Sequence, residues 1–199
     1  MVKKIGIFAG TFDPPHDGHL SFAHAALEMG LEKIMFLPEP RPRRKQGVKA
    51  LEHRIAMVQL AIAKEPKFGT IVLEQARFTP HETLPVLNER FKGYKLVILF
   101  GDDVISHISA WPNVKTLLNN NEFIIASRHQ DVPELKSTLD SLQKTTNINI
   151  NYHIVETNYK VTTSSEIRQS IVQKKMAIGL NPAVAEYITN NKLYTLSED

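Results

Sequence analysis

Short apolar runs and amphipathic stretches take turns along the whole chain, and this alternation narrows the fold more than any other feature. Lys4–Ala9, Lys33–Leu37, Thr70–Leu73, Tyr94–Phe100, Glu122–Ser127 and Tyr152–Glu156 read as strands: short, apolar and bounded by turn residues. Between and after them, Gly18–Met29, Leu51–Lys64, Thr83–Phe91, Asn113–Leu118, Pro133–Gln143, Ser164–Lys174 and Pro182–Asn190 read as helices. The first helix is expected to turn Leu20, Ala23, His24 and Leu27 to one face, with Gly30 placed to end it. The second is expected to bury Ile55, Val58 and Ile62, and Pro85 falls in the first turn of the third, where a missing N–H costs least. Strands separated by helices imply parallel pairing with helices on both faces. The expected fold class is therefore α/β, a doubly wound parallel sheet. Residues 1–199 are expected to form a single domain, with 163–199 as its C-terminal helical part.

Composition removes several classes of function. The chain has 199 residues, enough to bury a substantial core, and no cysteine. Disulfides, thiolate metal sites and cysteine nucleophiles are thereby excluded. No apolar run approaches the roughly 18 residues of a membrane span. Lys3-Lys4 leads straight into a strand-like segment without the apolar core of a signal peptide, so a cytoplasmic protein is expected. The net charge of +3 suits phosphorylated small molecules as well as it suits nucleic acid. One basic cluster, Arg41-Pro42-Arg43-Arg44-Lys45, reads either as a solvated loop or as a loop that holds a phosphate-bearing substrate. No aromatic interleaving or nucleic-acid module accompanies it, so no nucleic-acid partner is expected.

The segment Gly10-Thr11-Phe12-Asp13-Pro14-Pro15-His16-Asp17-Gly18-His19-Leu20 lies where the first strand ends and the first helix begins. In open parallel sheets, ligands bind beyond the carboxyl ends of the strands. A helix N-terminus offers unpaired backbone N–H groups and partial positive charge, so phosphate is its natural ligand. His16 and His19 flank Gly18 there, placed to donate hydrogen bonds to phosphate oxygens. A zinc site is the rival reading, but the spacing supplies two ligands and no third is evident. A purely structural pair is the other, against which stand two prolines, an aspartate and a glycine in the loop. His24, on the expected apolar face, reads as structural.

A second segment, Thr162-Thr163-Ser164-Ser165-Glu166-Ile167-Arg168, carries a capping-box pattern from Thr163 to Glu166. It leaves Ser164 and Ser165 at another positive helix end, with Arg168 one turn along on the face of Ser164. Alone this is an ordinary capped helix with a surface arginine; opposite the histidine loop it makes a second phosphate cradle.

Together these two segments resemble the paired signatures of the nucleotidyltransferase superfamily that carries two histidines around a glycine. Within it the chain is most similar to the bacterial nicotinate mononucleotide adenylyltransferases. Arg54-Ile55-Ala56-Met57, Phe100-Gly101-Asp102-Asp103, Trp111 and Asn181–Ile188 add to the likeness, which covers nearly the whole chain. The resemblance implies a Rossmann-like nucleotidyltransferase fold. It implies ATP and a phosphorylated mononucleotide as substrates, adenylyl transfer to nicotinate mononucleotide with release of pyrophosphate, and Mg²⁺ entering with ATP. It makes His16 and His19 the catalytic candidates. Gly10, Thr11, Phe12, Gly18, Gly101, Asp103, Ser164, Ser165 and Arg168 are the candidates for ATP, and Asp13, Lys45, Thr83 and Trp111 those for the acceptor. It implies no protein-held metal and leaves an oligomer open.

The chain departs from the family in two places. Relatives usually carry a Pro-Pro-His-Lys run after the second strand; here Pro40–Lys45 replaces it, with Lys45 or Arg44 as the cation nearest phosphate. Relatives commonly show a Tyr-Thr pair before the third helix, where this chain has Thr79-Pro80, followed by His81. Nicotinamide mononucleotide and phosphopantetheine therefore stand as alternative acceptors, and a non-catalytic nucleotide-binding regulator as an alternative role. A class I aminoacyl-tRNA synthetase fragment lacks its lysine-rich second motif here and is set aside.

Overall fold

Side chains along a strand point alternately to its two faces, and here both faces are covered. The computed structural model describes residues 2–42, 45–75, 77–128, 131–156 and 163–195. Strands β1 (Lys4–Gly10), β2 (Lys33–Pro38), β3 (Phe68–Thr70), β4 (Lys95–Gly101), β5 (Glu122–Ser127) and β6 (Asn151–Glu156) form one sheet in the order 3-2-1-4-5-6. Every neighbouring pair is parallel. In chain order the helices are α1 (Asp17–Glu28), α2 (Leu51–Ala61), α3 (Thr83–Arg90), α4 (Asp102–Ile105), α5 (Val114–Asn120), α6 (Val132–Thr146), α7 (Ser164–Val172) and α8 (Pro182–Asn190).

Two cores result. Ile5 and Ile7 of β1, Leu96, Ile98 and Phe100 of β4 and Phe123 and Ile125 of β5 face α3, α5 and α6. Phe8, Val97, Leu99, Ile124 and Ala126 face the opposite way, toward α1, α2 and α8. The C-terminal helix α8 thus shares a core with the first two helices. The strand order reverses between β1 and β4, and the crevice there opens at the carboxyl ends of both. Among the described residues, no helix is long and apolar enough to cross a membrane.

The alternation predicts the parallel doubly wound sheet correctly, and several details differ. α1 buries Phe22, Ala23 and Ala26, leaving Leu20 and Leu27 half-buried on its flank. Phe22 meets Phe8 edge-on at 5.3 Å, and the two alanines let the helix lie close to the sheet. His24 is exposed, its Nε2 3.2 Å from Glu65 and its ring 4.8 Å from that of Phe68. α2 buries Arg54, Met57, Val58 and Ala61, with Ile55 half-buried. β3 covers Phe68–Thr70 rather than Thr70–Leu73: the Ile71 N–H still donates to the Phe36 carbonyl of β2 at 2.8 Å, and Leu73 is buried beyond the ladder, so its apolarity reports burial and not pairing. The helix α4 and a 3₁₀ turn at Ile108–Ala110 carry no periodic signal of their own.

At the amino-terminal edge of the sheet, away from the crevice, the buried Glu122 receives Lys4 at 2.8 Å and Lys95 at 2.9 Å, with His153 at 3.7 Å. Burial alone would raise the Glu122 pKa; the hydrogen bonds and charges of Lys4 and Lys95 outweigh it and hold the carboxyl below its ordinary value. A carboxyl with a lowered folded pKa stabilises the fold above its unfolded pKa of about 4.3 and loses that contribution as pH falls through the lower folded value. Thermal melting followed below about pH 5 should therefore show a smaller acid destabilisation in Glu122→Gln than in wild type, from a lower starting Tm; parallel pH curves would remove the cluster from the acid response.

Candidate active site

β1 ends at Gly10, and the chain turns through Phe12, whose φ is 52°. That left-handed turn folds the buried Phe12 ring back beneath the strand end, edge-on to Phe8 at 5.3 Å and to His19 at 5.1 Å. A Cβ on residue 10 would lie 2.9 Å from the Phe12 ring, which is why a glycine ends the strand.

The two histidines cap α1 reciprocally. The Gly18 N–H donates to His16 Nδ1 and the His16 N–H to His19 Nδ1, both at 3.2 Å. An Nδ1 that accepts holds no proton, so each neutral ring carries its proton on Nε2 as a donor. The rings lie 3.8 Å apart between centroids, and a side chain at residue 18 would meet the His16 ring at 3.0 Å. Burial, joined by the charges of Arg128 and Lys45 and opposed by Glu166, pushes His16 down to about 3. Burial, then His16, Arg128 and Lys45, holds His19 well below the ordinary histidine value.

The amides at the head of α1 are occupied, contrary to the expectation that they are free for phosphate. Asp17 N–H donates to the Gly179 carbonyl at 2.9 Å, Gly18 N–H to His16 Nδ1, and His19 N–H to the His16 carbonyl at 2.8 Å. The N–H groups of Thr11 and Phe12, by contrast, find no acceptor among the described residues.

Distant side chains hold the loop in place. Arg54 donates to the Thr11 carbonyl at 2.8 Å, Arg168 to the Asp13 carbonyl at 2.7 Å, and Ser164 Oγ to the Pro14 carbonyl at 2.9 Å. The last two bring the N-terminus of α7 against the histidine loop. Thr163 caps that helix, with a reciprocal bond from its own N–H to Glu166 at 2.8 Å. The Ser164 hydroxyl is thus already donating, while the N–H groups of Ser164 and Ser165 have no acceptor among the described residues. Arg168 also donates to Ser165 Oγ at 3.1 Å.

These elements enclose a cleft of about 570 Å³ between β1, β4 and α7. Its cations among the described residues are Lys45, Arg128 and Arg168; Gly101 and the exposed Asp103 border it at the end of β4. The fully buried Asp102 aligns this border: its carboxylate accepts Asp103 N–H at 2.9 Å and Arg128 N–H at 2.8 Å. One wall is aromatic. Trp111 lies 5.7 Å from Phe100 and 6.4 Å from Phe78. A polar, cationic end and a flat apolar end suit a phosphorylated heterocycle.

His16, His19, Gly10, Thr11, Phe12, Gly18, Gly101, Asp103, Ser164, Ser165, Arg168, Lys45 and Trp111 all border this cleft. Of the other two acceptor candidates, Asp13 lines the cleft and Thr83 does not. Thr83 is buried away from it, its hydroxyl accepting Thr79 N–H at 2.8 Å and donating to the Arg77 carbonyl at 3.2 Å. Asp13 reaches the cleft edge, but its buried carboxylate is engaged by the Tyr194 hydroxyl at 2.6 Å and the Lys49 N–H at 3.4 Å. Neither Thr79, Pro80 nor the exposed His81 lines the cleft; Phe78 does. Arg43, Arg44 and Thr162 lie outside the described residues. Sequence reasoning missed Arg128, whose only local signal is its place after an apolar strand. It also missed the clamp made by Arg54 and the partnership of Tyr194 with Asp13.

Residues 7–170 match the cytidylyltransferase-like family. A Neisseria meningitidis protein named "Probable nicotinate-nucleotide adenylyltransferase" is 33% identical over 97% of this chain and 99% of its own length. The Bacillus subtilis nicotinate-nucleotide adenylyltransferase is 38% identical over 66% of this chain and 75% of its own. Among solved structures, a Plasmodium falciparum nicotinic acid mononucleotide adenylyltransferase complexed with NaAD superposes with a TM-score of 0.76. At 20% identity, covering 96% of this chain and 97% of that one, it shares the fold.

The lowered pKa values and accepting Nδ1 atoms predict that both histidines stay neutral as Nε2–H tautomers at about pH 6, where an unperturbed imidazole is largely charged. Long-range imidazole ¹⁵N–¹H spectra of the free protein should show this pattern for His16 and His19, and an imidazolium pattern for either would contradict the geometry.

Proposed function

Because the chain belongs to the cytidylyltransferase-like family and shares a third of its residues, along nearly its full length, with a protein named "Probable nicotinate-nucleotide adenylyltransferase", we infer that it is an adenylyltransferase of NAD biosynthesis. It transfers the adenylyl group of ATP to nicotinate mononucleotide, giving nicotinate adenine dinucleotide and pyrophosphate. The observation that carries this reading is the pair of histidines at the β1–β4 crevice, each accepting a backbone N–H at Nδ1 and facing the N-terminus of α7 across the cleft.

The phosphate of the acceptor attacks the α-phosphorus of ATP in line. One phosphorus–oxygen bond forms as the bond to the β-phosphate oxygen breaks, and pyrophosphate leaves. Positioning and charge stabilisation carry the rate. His19 Nε2–H donates to a nonbridging oxygen of the α-phosphate, and its bond strengthens as charge gathers there. His16, Arg128 and the amides of Thr11 and Phe12 meet the other phosphate oxygens. Arg168 and the amides of Ser164 and Ser165 hold the β- and γ-phosphates, with Arg168 keeping N–H groups beyond those given to Asp13 and Ser165. Asp103 lies toward the nucleotide sugar, Lys45 toward the acceptor phosphate, and Trp111 with Phe78 and Phe100 toward the pyridine ring. Mg²⁺ would enter with ATP, held by phosphate oxygens and water rather than by a cluster of side chains, and would neutralise phosphate charge. Among the described residues, a wall of N–H donors and cations beside the exposed Asp103 and the half-buried Glu39 fits that arrangement. We place the reaction in the cytoplasm and read residues 1–199 as one nucleotidyltransferase domain.

The test is pyrophosphate release from Mg·ATP with nicotinate mononucleotide, nicotinamide mononucleotide and phosphopantetheine offered separately. Fastest release with nicotinate mononucleotide is expected; binding of ATP without release for any acceptor would turn the reading to a nucleotide-binding regulator. His19→Ala should lower kcat by about a hundredfold or more while changing ATP affinity little, the mark of a contact made in the transition state. Arg168→Ala should chiefly raise the KM for ATP. Equal losses of turnover and ATP affinity in His19→Ala would reduce that histidine to ground-state binding.

A further inference from the structure

Tyr194 stands 181 residues from Asp13 in sequence, yet its hydroxyl donates to Asp13 Oδ1 at 2.6 Å. The ring is 6% exposed, in the core beneath α1, α2 and α8 with Leu193, and the Lys49 ammonium lies 5.5 Å from its centroid. Lys192, at φ 50°, closes α8 by letting the Leu193 N–H donate to the Ile188 carbonyl at 3.0 Å, and beyond it Tyr194 is itself held in the left-handed region at φ 59°. That backbone is unfavourable for L-residues, and it persists only where the surroundings over-determine it. Filling the core would not require it, since a phenylalanine offers the same ring without a hydroxyl to bury. What the strained segment delivers is the aim of one O–H group. Burial, then the bond and charge of Asp13, raise that hydroxyl far above the ordinary tyrosine range, so it remains a donor at any working pH.

Asp13 is where the hold is useful. Its carbonyl accepts Arg168 at 2.7 Å, and the next carbonyl, that of Pro14, accepts Ser164 at 2.9 Å. Two residues further on, His16 begins the capping of α1. Without Tyr194, the Asp13 carboxylate keeps the Lys49 N–H at 3.4 Å as its hydrogen-bond donor. We propose that Tyr194 is a positioning residue of the adenylyl-transfer site: by fixing Asp13 it sets the peptide that orients Arg168 and the register in which His16 meets α1. This rests on the adenylyl-transfer reading above for its kinetic consequence, though not for its structural one.

The experiment compares Tyr194→Phe with wild type in two readouts, pyrophosphate release and amide hydrogen exchange, each also in an Asp13→Ala background. Tyr194→Phe should lower kcat about tenfold, raise the KM for ATP and leave the KM for the acceptor unchanged. Exchange should quicken in residues 10–19 and stay unchanged in β5 and α6. In the Asp13→Ala background the same substitution should alter kcat by less than about twofold, since the two groups act as one unit. Full kcat with unchanged exchange at 10–19 would overturn the proposal even if Tm fell, because Tyr194 would then only stabilise. Losses that multiply across the two backgrounds would overturn it as well. If wild type releases no pyrophosphate with any acceptor, the functional reading fails and exchange alone decides: quickening confined to 10–19 supports positioning, while a uniform or absent change defeats it. Exchange in Tyr194→Phe decides likewise should Asp13→Ala not fold.

Discussion

A guanidinium holds its donors in one fixed plane, and Arg54, 1% exposed, donates to the main chain from each of its three nitrogens. It reaches the carbonyls of Thr11 at 2.8 Å, Pro40 at 3.2 Å and Lys49 at 2.9 Å. These three belong to the loop after β1, the loop after β2 and the approach to α2. No helix or ladder satisfies them, and a buried carbonyl left unpaired costs about 1–3 kcal/mol. Burial lowers the Arg54 pKa, while Asp13, Tyr194, Glu39 and Glu52 work against that shift. One buried cation thus gathers the loops that frame the cleft. Replacing it with lysine would leave a single point of attachment for three separate carbonyls.

The histidines belong to the same logic of fixed donors. A charged imidazole among Arg128, Lys45 and Arg168 would add repulsion before any phosphate arrived. Burial, with the charges of Arg128 and Lys45, holds the pKa of both rings down, so the site favours N–H dipoles aimed by the caps of α1 and leaves the net charge to the cations at the rim. Preorganised dipoles of this kind need not rearrange when charge moves during reaction.

Much of this was legible in the residues themselves. Alternation of period shows the parallel sheet, Gly10–His19 shows where its crevice lies, and Thr163–Glu166 shows the start of α7. The errors share a cause. Leu20, Ala23 and Leu27 on α1 share a period with Phe22, Ala23 and Ala26, and only packing against Phe8 decides which stripe turns inward. Leu73 looks like strand because burial and pairing leave the same apolar mark. Thr83 looks available because nothing in its neighbours states that its hydroxyl already serves Thr79 and Arg77. Arg128 leaves no local trace beyond its place after an apolar strand, and Tyr194 leaves none: the Arg128 N–H and the Tyr194 hydroxyl find partners 26 and 181 residues away. Patterns of period reach a few residues, and tertiary hydrogen bonds have no such limit.

The hydrogen bond between the two ends of the chain also sets an order of events in synthesis. Residues enter the world from the N-terminus at about 5–20 per second, so the histidine loop waits on the order of 10–40 s for the tyrosine 181 positions later. Arg168 and Ser164 arrive only slightly sooner. A nascent chain can pair β1 with β2 early, yet the pocket beside them is among the last parts to set. The cleft is in this sense a late product of translation, since a chain that stops short of residue 194 lacks the hydroxyl that Asp13 receives.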